Sequence, residues 1–265
     1  VCSSDLNLDL NNSFERANYK NDKYRALTNR GHAKRELNDY PGAIEDFSTI
    51  LEMYSVDVST LSKRGHLKAL LNDHQSAIED FSKALMIKPE YRICYSRRGF
   101  SKWRLENFNG AIEDLTKAID IDSNDWIDFY IRGRAQCGLG NYQEAIKDFS
   151  STLKINPNYV ECINQRGALR NHLGDLEGAL EDYNLSISLN PENKQILYFR
   201  GCLHLNINNL EKGISDLERV YLIDPSYEDV HDLLKKYQTN NQNNNLKKIE
   251  KNNYETSRKL NNDIN

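Results

Sequence analysis

The stretch that decides the fold runs Arg132-Gly133-Arg134-Ala135-Gln136-Cys137-Gly138-Leu139-Gly140-Asn141-Tyr142-Gln143-Glu144-Ala145-Ile146-Lys147-Asp148-Phe149. Its opening Arg-Gly pair returns every 34 residues, as Arg30-Gly31, Arg64-Gly65, Arg98-Gly99, Arg166-Gly167 and Arg200-Gly201. Its Ala-Ile pair returns in step as Ala43-Ile44, Ala77-Ile78, Ala111-Ile112, Ala179-Leu180 and Gly213-Ile214. Two residues after each aliphatic comes an Asp (Asp46, Asp80, Asp114, Asp148, Asp182, Asp216), followed by Phe47, Phe81, Leu115, Phe149, Tyr183 or Leu217. Six copies in one register, with no insertion, make the internal repeat the first fact about this chain.

A glycine inside a helix costs about 1 kcal/mol relative to alanine, so a glycine recurring at one mid-helix position needs a compensating gain. Close approach is that gain, because side chains at a helix crossing set the distance between helix axes. The pattern predicts two helices per unit, the glycine of the first facing the alanine of the second. In the fourth unit Phe129, Arg132-Gly133 and Gln136 share one helical period, Leu139-Gly140-Asn141 breaks it, and Ala145, Ile146, Phe149, Leu153 and Ile155 resume it until Asn156-Pro157. Pro89, Pro191 and Pro225 stop other units, with Ser55 and Ser123 where a proline might stand. Turns are expected at Asn38-Asp39, Asn72-Asp73, Asn107, Gly140-Asn141, Gly174-Asp175 and Asn208-Asn209.

These residues resemble the tetratricopeptide repeat (TPR) family. Counted from the seventh residue before each glycine, the family pattern wants small residues at positions 8 and 20, an aromatic at 24, Ala at 27 and Pro at 32. The units are 24–57, 58–91, 92–125, 126–159, 160–193 and 194–227. Gly31, Ala43, Gly65, Ala77, Gly99, Ala111, Gly133, Ala145, Gly167, Ala179, Gly201 and Gly213 fill the small positions. Position 27 is Ala only at Ala84 and Ala118; Ile50, Thr152, Ser186 and Val220 stand elsewhere, so packing there must differ. Two glycines in the sixth unit predict a looser pair. The resemblance implies an all-α right-handed solenoid of six helix pairs.

Outside the array, Val1-Cys2-Ser3-Ser4-Asp5-Leu6 reads as translated vector or adapter sequence, so that a natural N-terminus would be missing. Residues 1–23 are then an artefact and an Asn-rich lead-in, in which Phe14 and Ala17 also fit the remnant of an earlier repeat. After Pro225, Ser226 and Asp229 suggest a capping box. Val230, Leu233, Leu234 and Tyr237 make one apolar face of an end helix over 228–238, covering the last repeat. The Asn- and Lys-rich residues 239–265 read as disordered.

The net charge of −4 argues against non-specific nucleic-acid binding by the whole chain. Five cysteines (Cys2, Cys94, Cys137, Cys162, Cys202) make no metal spacing and no disulfide framework, which suits a reducing, cytoplasmic setting. No apolar run is long enough to span a bilayer, and no secretory signal is visible. Asn11 and Asn184 head N-x-Ser sequons without a secretory context to use them. His32 and His66 share one position in adjacent units but lack further metal ligands. No nucleophile elbow, phosphate loop, HExxH or paired-carboxylate motif occurs, so neither catalysis nor a cofactor or metal is expected. An Arg and an Asp present six times are scaffold, and each Arg is expected to pair with an Asp of its own or the preceding unit.

In proteins of the resembled family, first-helix positions 2, 5, 6, 9, 12 and 13 line the concave groove. The middle units place Lys63, His66, Arg97, Phe100, Trp103, Arg104, Tyr130 and Arg134 there, a basic patch interleaved with aromatics. Towards the C-terminal end the lining becomes Glu161, Asn164, Gln165, Asn171, Tyr198 and Phe199, polar and nearly uncharged. Arg and aromatic residues dominate binding hot spots, and Arg receives carboxylates in a bidentate way. The chaperone-tail carboxylate clamp of the family is absent in its known form: position 9 has no Asn, and only Arg97 matches in type and place. The expectation is a non-catalytic scaffold or adaptor that grips an extended or helical, acidic peptide segment of a partner protein. The alternatives are the repeat part of a larger enzyme or assembly factor, and single-stranded RNA binding along the groove.

Overall fold

The computed structural model describes the backbone of residues 3–237 and the side chains of residues 18–237. Among the described residues every regular element is a helix. The helices divide after Ile155 into two compact units. The first holds α1 (Ser3–Glu36), α2 (Tyr40–Met53), α3 (Val58–Leu70), α4 (His74–Ile87), α5 (Arg92–Arg104), α6 (Phe108–Ile121), α7 (Trp126–Gly138) and α8 (Tyr142–Ile155). The second holds α9 (Val160–His172), α10 (Leu176–Leu189), α11 (Lys194–Asn206) and α12 (Leu210–Ile223), with residues 230–237 helical beyond them. Each is an all-α stack of helix-turn-helix pairs, the construction of a solenoid. Helix α1 is continuous from Ser3, since no glycine or proline precedes Gly31 in it. The tail 239–265 and Cys2 lie outside the described residues.

Close approach explains the recurring glycine, with a different partner from the one expected. A Cβ at Gly133 would stand 2.7 Å from Cε1 of Phe149. The position-24 side chain, more than the position-20 alanine, occupies the space that the glycine leaves. Phe47, Phe81, Leu115, Phe149, Tyr183 and Leu217 are all at most 1% exposed, each worth roughly 1.5–3 kcal/mol of burial. In the sixth unit Leu205 fills the gap that Gly213 opens, with its Cδ2 2.7 Å from where a Cβ would sit. The looseness expected of two glycines is therefore taken up by packing. Where position 27 is polar, its hydroxyl finds a partner: Thr152 donates to the Asp148 carbonyl at 3.0 Å, and Ser186 donates to Asn164 Oδ1.

The turns between paired helices share one conformation. Position 15 has positive φ in every unit: Asn38 (61°), Asn72 (62°), Glu106 (58°), Gly140 (77°), Gly174 (84°) and Asn208 (60°). Gly and Asn enter this left-handed region most readily, and Glu106 is the exception. The next residue caps the second helix. Asp39, Asp73, Asn107 and Asp175 accept from Gly42, Ser76, Gly110 and Gly178 backbone N–H groups. Thus Asn107, expected as the turn residue, is the cap that follows it. The capping box expected at Ser226 and Asp229 does not form. Asp224 accepts both the N–H and the hydroxyl of Ser226, while Asp229 accepts from the Tyr198 hydroxyl at 2.5 Å. Val230 and Leu234 are buried in the cluster that also holds Leu197, Leu217 and Val220.

An arginine ladder ties each pair together. All six arginines hold the Asp of their own unit in a fork, Nε to Oδ2 at 2.8–3.0 Å and Nη2 to Oδ1 at 2.5–2.7 Å. The third nitrogen reaches the preceding unit: Arg64 to Ser48, Arg98 to Ser82, Arg132 to Thr116 and Arg200 to Asn184, at 2.7–3.1 Å. A second cation meets the carboxylate in four units, from Lys34, Lys68, Lys102 and Arg170. Gln136 holds that position in the fourth unit and brings no charge to Asp148. Hydrogen bonds from Arg30 hold the Asp46 carboxyl below its usual range, whereas burial pushes that of Asp148 above it.

Candidate functional site

The expected basic and aromatic groove residues all lie in the first compact unit, on the face shared by α1, α3, α5 and α7, and the structure gathers them into two neighbouring groups. The first is an aromatic–cation stack on α5 and α7. Arg97, Phe100 and Trp103 recur at three-residue spacing, which keeps them on one side of α5. The Phe100 and Trp103 ring centres are 5.7 Å apart, and Phe100 meets His74 edge-on. The Arg134 guanidinium lies 5.1 Å from the Trp103 ring centre and donates to the Tyr130 hydroxyl at 3.1 Å. Arg104 extends the group over Phe100. Such cation–ring contacts are worth about 0.5–2 kcal/mol each. Tyr130 is itself buried against Phe149, so its hydroxyl is what it offers the stack.

A polar tie fixes α5 against α7, and the sequence pattern did not reveal it. Arg92 donates to Asp128 at 2.5 Å and to Asp125 at 3.0 Å, while the Ser96 hydroxyl also donates to Asp128. Asp128 is only 1% exposed, and burial pushes its carboxyl above the usual range against the pull of Ser96 and Arg92. The same helix pair that the tie joins brings the Arg134 guanidinium over the Trp103 ring.

The second group is a cleft of about 220 Å³ between α1, α3 and α5. Lys63, His66 and Arg97 line it as expected, joined by His32 and Arg35 of α1, residues that a reading restricted to the second to fourth units leaves out. Position 12 of the first unit is Arg35, so the family positions would have found it. Phe47, Leu67 and Ile93 form apolar wall. No carboxylate is among the lining residues; Glu36 pairs with Arg35. Burial, then the charges of Arg97 and Arg35, push the His66 imidazole down to about 4. His32 is lowered by burial, Lys63 and Arg35.

The contrast with the ladder is the main electrostatic fact of this face. Every ladder arginine is forked to a carboxylate. Lys63, Arg97, Arg104 and Arg134 have no carboxylate within ion-pairing distance among the described residues. Arg97 has only a 3.5 Å contact with the Ser62 hydroxyl, and burial draws its guanidinium below the usual arginine range. Elsewhere, Cys94, Cys137, Cys162 and Cys202 are in no disulfide among the described residues, and burial raises the thiols of Cys94, Cys137 and Cys202. Among the described residues no His, Cys, Asp and Glu cluster could hold a metal, and no helix is long and apolar enough to cross a membrane. In the second unit Gln165 donates to Glu161 at 2.6 Å, which covers part of the polar lining there.

The repeat, its helix pairs and its packing define a helical-repeat protein. The tetratricopeptide repeat profile matches residues 58–91, 94–125, 160–193 and 194–227, just over half of the chain, and the chain belongs to that family. No curated protein matches the chain. Among solved structures it is similar to YrrB, described as a TPR protein with an unusual peptide-binding site, at 21% identity and a TM-score of 0.65 over 71% of this chain and 97% of that one. It is also similar to MamA from Desulfovibrio magneticus RS-1, at 19% identity and a TM-score of 0.62 over 65% and 97%. A tetratricopeptide repeat protein from Parabacteroides merdae aligns at 20% identity and a TM-score of 0.54 over 81% and 84%. At these identities the likeness is one of fold.

Proposed function

We propose that the chain is a non-catalytic scaffold that binds a peptide segment of a partner protein on the face formed by α1, α3, α5 and α7. One observation carries the reading: Lys63, Arg97, Arg104 and Arg134 of that face have no carboxylate partner among the described residues, while every ladder arginine has one. A half-buried guanidinium without a counter-charge is costly, and an acidic partner segment would relieve that cost. The Phe100–Trp103–Arg134 stack supplies the apolar and planar contact area typical of a hot spot. YrrB, which shares the fold, is described by its peptide-binding site. Cysteines that form no disulfide among the described residues suit a reducing, cytoplasmic compartment.

The test is capture of partners from source lysate by the full chain, beside Trp103→Ala and Arg134→Glu variants with unchanged helicity. Specific loss of one protein band from both variants supports the reading. An unchanged set of partners overturns it for this face. Recovery of RNA instead, with an affinity falling steeply with salt, would favour single-stranded nucleic acid on the stack.

A further inference from the structure

The cleft between α1, α3 and α5 has features that the aromatic stack lacks, and they deepen the peptide-binding reading on which they rest. Its charged lining is wholly cationic or histidine: Arg35, Lys63, Arg97, His32 and His66. Arg35 already meets Glu36, so Lys63 and Arg97 are the cations left for an incoming anion. Ser62, 2% exposed, places a hydroxyl beside Arg97. Ser59 and Tyr91 add further hydroxyls to the lining, and its accessible apolar part is Ile93, since Phe47 and Leu67 are at most 1% exposed. A side chain that is apolar along its stem and anionic only at its tip suits such a lining. Its carboxylate can take the fork of a guanidinium.

We infer that this cleft is a specificity pocket for one glutamate side chain of the partner segment, its carboxylate held by Arg97 and Lys63 and its methylenes lying against Ile93. Geometry links the pocket to the stack. Phe100 follows Arg97 by about 4.5 Å along α5 and Trp103 by about 9 Å. An extended segment advances about 3.3 Å per residue, so residues one to three places from the glutamate reach the aromatic rings. His66 reports on occupancy. It shares the cleft with His32 and Arg35 from α1, Lys63 from α3, Arg97 from α5 and Tyr91 just before α5, none of them a carboxylic acid. A bound carboxylate raises its pKa from about 4, so the occupied cleft takes up protons. Affinity therefore rises as pH falls from neutral, until the glutamate itself protonates.

The probe is N-acetyl-glutamate N-methylamide, titrated into the full chain while the His66 imidazole resonance is followed by NMR at pH 6.5. The expected result is a saturable shift, absent with the glutamine analogue and weakened about tenfold by Arg97→Gln. Lys63→Gln, at a half-exposed position outside the ladder, must also weaken it, which keeps the test valid if Arg97→Gln perturbs folding. No saturable shift would overturn the inference, and so would an equal response to the glutamine analogue. Tighter binding of N-acetyl-leucine would reassign the cleft to a chain-end carboxylate, and tighter binding of inorganic phosphate to a generic anion. Any of these failures leaves the stack untouched, because Trp103 and Arg134 are tested separately.

Discussion

Arg98 grips Asp114 with two parallel bonds of 2.8 and 2.7 Å and uses its remaining nitrogen to hold Ser82 of the preceding repeat at 2.9 Å. Asp114 is 3% exposed and also meets Lys102 at 2.8 Å. One guanidinium thus joins a helix to its partner and one repeat to the next.

The pair is expected to show strong coupling. Arg98→Leu leaves Asp114 with Lys102, whereas Asp114→Leu strands two cations and should cost more. Each single change is expected to cost about 2–4 kcal/mol, and the double change less than their sum by about 1–3 kcal/mol. Urea unfolding of the four proteins measures both quantities. Simple additivity would mean that the fork contributes nothing as a pair.

The fourth repeat has the ladder's weak rung. Burial raises the folded pKa of Asp148, so ionising it costs stability at neutral pH, and the cost is relieved as pH falls through that raised pKa. Gln136→Lys supplies the cation that other repeats have, at the expense of the Gln136 contact with Asn141. It should raise stability at pH 7 by about 0.5–1 kcal/mol, with the gain vanishing near pH 3 once Asp148 is protonated. Unfolding curves at the two pH values decide it; an equal gain at both would assign the effect to helix propensity.

Glu106 occupies a left-handed position where the five sister repeats have Asn or Gly at comparable angles. Glu106→Gly should stabilise by about 1 kcal/mol, since a left-handed L-residue costs about 1–2 kcal/mol and glycine gives back part of that in chain entropy. Thermal melts compare it with Gly140→Ala, for which the opposite sign is expected.

Gly133→Ala tests the close approach itself. The new methyl would press on Phe149, and a net loss of about 1–3 kcal/mol is expected despite alanine's better helix propensity. Combining it with Phe149→Ala, which empties the space, should cost less than the two changes summed. A stabilised Gly133→Ala would show that the ring yields freely.

What the sequence disclosed follows from repetition. An arginine and an aspartate such as Arg98 and Asp114 recur in every repeat, so spacing alone narrowed the partner to the Asp of the same or the preceding repeat. That Gly65 meets Phe81 rather than Ala77 was not legible, because the Phe81 position varies among Phe, Leu and Tyr while the Ala77 position is almost always Ala. The partner of each arginine's third nitrogen was hidden because Ser48, Ser82, Thr116 and Asn184 share a hydrogen-bonding group but no residue type. The Arg92–Asp128 tie was hidden for a related reason: it occurs once, between residues 36 apart, and no period points to it. Lys63, His66 and Arg97 were legible as a basic face from their repeat positions. That they close a cleft with His32 and Arg35 depends on how α1 packs beside α3, which a pattern of residue types does not encode.

The ladder's connectivity also bears on how such a chain can grow. The second and third 34-residue copies each carry an arginine that reaches backwards and a hydroxyl that the next arginine takes, so both halves of the joint travel within one copy. A duplication of one whole copy would therefore arrive with its fastenings in place, and the array could lengthen without any compensating substitution.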